Sequence, residues 1–171
     1  VYLNMYIQNS VKGGFVMRVT QETDYALRVV YFLYRHGIGE RVEARVISET
    51  EKIPLRFLLK LLRKLVAAEI IRSYRGCGGG YAIERAPSDV SVLEVIETVE
   101  GPIYVNKCLG DGTKCNLGRS QTCNVHKALQ SVQDKLVWDL RSLTFEHILQ
   151  GGVLDLQAAP FSTPALSGNK L

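Results

Sequence analysis

The sequence predicts a mainly α-helical fold with a small β-wing: a winged helix-turn-helix followed by a long C-terminal dimerisation helix. Three observations carry this. Apolar residues fall at helical spacing through consecutive segments joined by a short turn, and the second of these is apolar on one face and basic on the other. A glycine-rich stretch, Arg75-Gly76-Cys77-Gly78-Gly79-Gly80, is flanked by Ile70-Ile71-Arg72-Ser73-Tyr74 and Tyr81-Ala82-Ile83, the pattern of a β-hairpin. Further along, Val125, Leu129, Val132, Leu136, Leu140 and Leu143 recur every three or four residues, a stripe suited to a helix–helix seam within one chain or across a dimer.

Each element has a local reason. Thr20 is a good N-cap, and Gln21 to His36 then reads as a helix with Tyr25, Val29, Phe32 and Leu33 at helical spacing. Gly37 and Gly39 end it. A second short helix is expected over about Glu43 to Glu51, with Val46 and Ile47 inward and Lys52-Ile53 as the turn. Pro54 suits the first turn of the third helix, where its missing N–H costs nothing. That helix, Leu55 to Ala68, puts Phe57, Leu58, Leu61, Leu62 and Leu65 on one face, with Arg56, Lys60, Arg63 and Lys64 largely off it. Ser91-Val92-Leu93-Glu94 is a capping box that opens a helix to about Glu100, and Gly101-Pro102 stops it. The segment from Ile103 to Thr122 reads as loop. A long helix starts near Cys123 or Asn124 and runs to about Ser142, with one or two further turns between Thr144 and Leu149.

The 171 residues, 46% of them hydrophobic, suffice for one compact domain or a small domain plus an oligomerisation element. No apolar run approaches the roughly 18 residues of a membrane span, and residues 1–16 lack the pattern of a signal peptide. Three of the four cysteines are bunched, unlike a secreted disulfide scaffold, so a reducing cytoplasm is the expected compartment. The expected organisation is an N-terminal extension, disordered, over 1–16; a winged helix over 17–86; a cluster-binding loop and dimerisation helix over 87–150; and a disordered tail over 151–171.

The net charge of +4 is unevenly placed. Residues 54–85 hold Arg56, Lys60, Arg63, Lys64, Arg72, Arg75 and Arg85 against only Glu69 and Glu84, as expected where a chain meets phosphates. A solvated helix face is the plainer reading of the same charges. In the wing, glycines would let the backbone, at Gly79 for example, approach a phosphate or the minor groove beside Arg75; an ordinary hairpin turn needing positive φ would use glycines too. A nucleotide-phosphate loop is excluded, because no Lys-Ser or Lys-Thr follows and no βαβ unit surrounds the glycines.

Cys108, Cys115, Cys123 and His126 form the other constellation. Cys123 and His126 sit three apart at a helix start and project to the same side. Cys108 and Cys115 lie on the preceding loop. Three thiolates and an imidazole can complete the ligand set of a two-iron, two-sulfur cluster, with a potential above that of an all-thiolate site. The same set can hold a structural zinc, and two of the thiols could instead form a redox-switching disulfide. Cys77, in the wing, reads as incidental. No Cys-x-x-Cys pair is present, and an electron carrier has no use for the basic helix and wing, so an enzymatic role is not expected.

From Met17 to about Gln150 the chain resembles the IscR-type (BadM/IscR-like) winged-helix regulators of bacteria. The resemblance rests on the opening Met17-Arg-Val-Thr-Gln-Glu-Thr-Asp-Tyr-Ala-Leu-Arg28 and on Ser73-Tyr74-Arg75-Gly76-Cys77-Gly78-Gly79-Gly80-Tyr81. It rests also on Val92-Leu93-Glu94-Val95-Ile96 and on the three-cysteine loop before a long helix. It implies a cytoplasmic homodimer whose long helices cross, each winged helix reading one half-site of a double-stranded DNA operator. Members with the cysteine triad carry an iron–sulfur cluster that tunes DNA choice. Cys123-Asn-Val-His126 looks like the pair found in regulators of iron–sulfur biogenesis, where the histidine is the fourth ligand of a 2Fe-2S cluster, although both gaps between the cysteines here are longer than in their commonest spacing. Thr23-Asp24-Tyr25 looks like the nitric-oxide-sensing branch, which implies Asp24 as an alternative fourth ligand to a 4Fe-4S cluster in the partner subunit. The implied function is a transcription regulator, mainly a repressor, of cluster-biogenesis genes.

Overall fold

The computed structural model describes residues 20–110, 117–119 and 121–151. The expected extension over 1–16, nearly all of the expected tail, and Cys115 lie outside them. Seven α-helices and one two-stranded sheet are seen among the described residues: α1 (Gln21–His36), α2 (Ala44–Glu51), α3 (Leu55–Ala67), β1 (Arg72–Tyr74), β2 (Gly80–Ala82), α4 (Val92–Glu100), α5 (Lys107–Gly110), α6 (Asn124–Ser142) and α7 (Phe145–Leu149). The architecture is the predicted one, mainly helical with a small wing. No helix of the described residues is long and apolar enough to cross a membrane.

Thr20 caps α1 by accepting from the Thr23 backbone N–H, satisfying one of the donors a helix start leaves free. Lys52 ends α2 in the left-handed region at φ 54°, and the Ser48 hydroxyl donates to the Ile53 carbonyl 2.7 Å away to hold the turn into α3. Leu58, Leu61, Leu62 and Leu65 of α3 are fully buried, as are Ala26, Val29, Val30 and Leu33 of α1 and Ile47 of α2. Val46, expected inward, is 43% exposed. With only eight residues and one turn docked, α2 buries a single side chain, Ile47, so its neighbour faces out.

β1 and β2 pair antiparallel with Ser73 opposite Tyr81. Val42 adds one more rung, exchanging two 2.9 Å backbone hydrogen bonds with Tyr81. The wing is therefore fastened to the chain just ahead of α2. Ile70, Ile71 and Ile83 flank the short strands and are buried in the core.

The Ser91 hydroxyl accepts from the Glu94 N–H at 3.2 Å, half of the expected capping box. The Glu94 carboxylate turns to Arg85 instead, at 2.5 Å, because a guanidinium is a stronger partner than a backbone amide. The core runs across residue 86. Val90, Val95 and Val99 join it from α4's side, and Phe145 of α7 is fully buried within it, its ring 5.5 Å from that of Tyr34. Backbone bonds from Val92 N–H to the Leu143 carbonyl (2.8 Å) and from Phe145 N–H to the Val90 carbonyl (3.0 Å) stitch the end of α6 to the start of α4.

Removing the Phe145 ring should open a cavity where α7 docks. Phe145→Ala is expected to cost about 3–5 kcal/mol in denaturant unfolding; a change under about 0.5 kcal/mol, typical of surface sites, would show that α7 does not contribute to the core.

Candidate functional site

One face of the molecule is basic. Burying the leucines of α3 turns Arg56, Lys60 and Arg63 outward, and all three are exposed. Arg75 is exposed at the entrance of the wing turn. A cleft of about 490 Å³ lies between α3 and the wing, bordered by Arg45, Leu55, Leu59, Arg75 and Gly79. Glu43 also borders it, so the two arginines leave the lining with an excess of one positive charge.

Lys64 stands apart from this face. Its ammonium lies 2.8 Å from Glu22 Oε1 on α1 and donates to the Val99 carbonyl at the end of α4, also at 2.8 Å. It also sits near Glu100. Burial pushes the Glu100 carboxyl up, but bonds donated by the Thr20 and Thr23 hydroxyls and the Thr20 backbone, with the charge of Lys64, outweigh it and hold the group below the usual range. Lys64 thus ties α3 to α1 and α4, one helical step around from the outward cations.

Gly79 has a structural reason of its own. A Cβ there would stand 2.5 Å from the Tyr74 carbonyl oxygen and 2.9 Å from that of Gly76. At Gly80 a Cβ would stand 2.6 Å from the Val42 carbonyl oxygen, in the rung that fastens the wing. Both glycines are needed for the chain to close on itself.

Two cations near this face were not singled out from the sequence. Arg41 lies with its guanidinium 4.0 Å from the centre of the Tyr74 ring, and Arg45 on the first turn of α2 borders the cleft. The charge-rich window over 54–85 excludes both. The signal that finds them is the Val42–Tyr81 rung, which brings residues 41–45 beside the wing.

The thiol site is partly assembled. Cys108 rides on α5, a single helical turn inside the segment expected to be loop, and its Sγ lies 3.5 Å from Nδ1 of His126 on α6. Cys123 is the N-cap of α6 and is a free, half-buried thiol. Among the described residues no three His, Cys, Asp or Glu side chains are close enough together to hold a metal. Asp24 is elsewhere, on the first turn of α1, paired with Arg28 at 3.5 Å; Arg28 also reaches Glu51 at 3.1 Å.

The Rrf2 family profile, described as iron-dependent transcriptional regulator, matches residues 19–151. An rrf2-like HTH-type transcriptional regulator of Rhodobacter capsulatus is 31% identical over 140 residues, covering 78% of this chain and 93% of that protein. The HTH-type transcriptional regulator NsrR of Bacillus subtilis is 31% identical over 113 residues, 66% of this chain and 77% of its own. Among solved structures, T. potens IscR superposes with a TM-score of 0.62 at 23% identity, over 79% of this chain and 88% of its own. CymR of B. subtilis, the global cysteine regulator, superposes with a TM-score of 0.56 at 23% identity, over 81% of this chain and 100% of its own. These structural likenesses show the winged-helix fold.

Lys64→Ala is expected to lose about 1 kcal/mol of stability, from a half-exposed ion pair and a hydrogen bond. Arg63→Ala should stay within about 0.5 kcal/mol. Equal effects of the two in thermal or denaturant unfolding would refute the division between them.

Proposed function

The chain belongs to the Rrf2 family of iron-dependent transcriptional regulators, and from that premise we propose that it is a dimeric repressor of iron–sulfur cluster biogenesis genes that senses cluster status through a 2Fe-2S cluster. The observation that carries this reading is the 3.5 Å approach of Cys108 Sγ on α5 to His126 Nδ1 on α6, 18 residues along the chain. A thiolate and an imidazole nitrogen are soft and borderline donors suited to iron. The donor types fit the group. Cys108, Cys115, Cys123 and His126 would hold it, and when bound it supplies a redox-active, oxidisable centre whose potential the imidazole raises.

The chain's own residues supply the rest. Arg56 and Lys60 face the major groove of the operator, and Arg63 meets phosphates. Arg75 and the wing backbone at Gly79 approach the adjacent strand or minor groove. Lys64 is left out of this surface by its bonds to Glu22 and Val99. Val125 and Val132 on α6 are 66% and 56% exposed, an apolar stripe that a second copy of α6 would cover. The Leu143 and Phe145 backbone bonds then connect α6 to α4 and the winged helix, so a change in the loop ahead of α6 reaches the spacing of the two DNA-reading units. The protein acts in the cytoplasm, where its thiols stay reduced.

Anaerobic purification with iron, sulfide and zinc analysis tests the cofactor. About two irons and two sulfides per subunit, absent from Cys108→Ala, support the reading. About four irons move the assignment to Asp24 and a 4Fe-4S cluster, and zinc without sulfide removes the iron–sulfur sensor. For DNA, Arg75→Ala should weaken binding to every duplex and flatten the salt slope by about 0.9 for each phosphate that is no longer neutralised. An unchanged slope would remove the wing from the interface.

A further inference from the structure

α6 buries one side chain among its described residues, and it is polar: Gln133, 7% exposed. The leucines of the same helix are only half-buried. An amide taken out of water must have its bonds made inside the protein. Those of Gln133 are made to one short stretch of main chain. Its Oε1 accepts from the Val105 N–H at 2.8 Å, and its Nε2 donates to the Ile103 carbonyl. The side chain thus holds residues 103–105 through both ends of its amide, one accepting from and one donating to the main chain.

The place of this segment matters. Cys108 follows Val105 by three residues, on α5. His126 precedes Gln133 by seven residues, two helical turns along the same side of α6. The loop is gripped at residues 103–105 and reaches back to place the Cys108 thiol 3.5 Å from His126 Nδ1. Tyr104, between the gripped residues, lays its ring over the end of α5: a Cβ at Gly110 would stand 2.8 Å from that ring. With residues 103 and 105 fixed to α6, and residue 110 fixed under residue 104, the turn carrying Cys108 has little freedom to slide along the helix.

We propose that Gln133 is the positioning residue that sets the register of the cysteine-bearing turn against α6 and so brings Cys108 to His126. This rests on the reading of Cys108 and His126 as a ligand pair only for its consequence, cluster retention; the register itself is set by hydrogen bonds of the chain's own groups. A hydrophobic residue of the same length fills the space but offers neither bond, which separates register from packing.

The test uses the full chain with Cys77, Cys115 and Cys123 changed to Ser and His126→Cys added, so that Cys108 and residue 126 are the one thiol pair. In metal-free buffer with oxidised glutathione, two thiols lose two protons and two electrons to give a disulfide and two reduced glutathiones. The rate of that closure reads the proximity of the pair. Gln133→Met is expected to slow it by about tenfold or more, since small misplacements of reacting groups have effects of that order, while helicity by circular dichroism stays as before. Gln133→Glu, which keeps the acceptor for Val105 N–H and removes the donor to Ile103, should close at an intermediate rate and keeps the test open if the Met variant does not fold. An unchanged rate in either folded variant overturns the proposal. On the otherwise natural sequence, Gln133→Met should also release its iron to a chelator faster. If the natural protein binds no iron, the cofactor reading fails while the closure rates still decide the role of Gln133.

Discussion

The burial of one face of α3 constrains everything this molecule presents to the outside. Leu58, Leu61, Leu62 and Leu65 are all fully buried, so α3 has a single rotational setting. At about 100° per residue, Arg56, Lys60 and Arg63 then fall within about 60° of arc, opposite the leucines. Lys64 lies on the shoulder of that arc, where α1 and α4 approach, and it is taken up by Glu22 and the Val99 carbonyl. Nothing about a lysine as such decides between anchoring a helix and meeting a phosphate. The decision is made by one residue's step of rotation relative to the core.

The wing depends on the same setting. It leaves α3 through Ile70 and Ile71, both buried, and returns through Ile83. Its second strand, β2, is held on the edge away from β1 by Val42, whose carbonyl approaches so closely that residue 80 must be glycine. The glycines of the turn are thus explained first by the chain's own geometry, and this does not compete with a role near DNA.

Most of the helices were legible because each has a start signal, a period and a stop. Thr20, Pro54 and Ser91 mark three beginnings, and Gly37 and Gly101 mark ends that the structure keeps. What was illegible depends on contacts between distant segments. Val46 satisfies the helical period and is exposed all the same, because the buried side of this short helix is centred on Ile47. The α5 turn is too short to show a period. Arg41 and Arg45 enter the basic face through a rung formed with Tyr81, far along the chain. Gln133 carries no sequence signal: a glutamine between Val132 and Asp134 on an amphipathic helix reads as a surface residue. Of the four candidate ligands, Cys108 and His126 lie 3.5 Å apart. Cys115 lies outside the described residues, so the four-ligand set as a whole is a proposal.

The apolar core and the turn that carries Cys108 are held by contacts of different kinds. The winged helix is held by a large apolar cluster in which many side chains are wholly buried. The turn carrying Cys108 is half-buried and is secured by the Gln133 amide and the packing of Tyr104 against Gly110. Elements held by few apolar contacts are the ones that open locally at low free-energy cost. A ligand that bridges such a turn to α6 contributes its binding free energy directly to the ordering of the turn. The same ligand bound within the apolar core would stabilise a conformation already fully populated, and would switch nothing. The turn is joined to α6 by the Gln133 amide, and α6 is stitched by main-chain bonds at Leu143 and Phe145 to the start of α4. The Cys108 turn is thus joined, through α6 and these main-chain bonds, to the apolar cluster that sets α3.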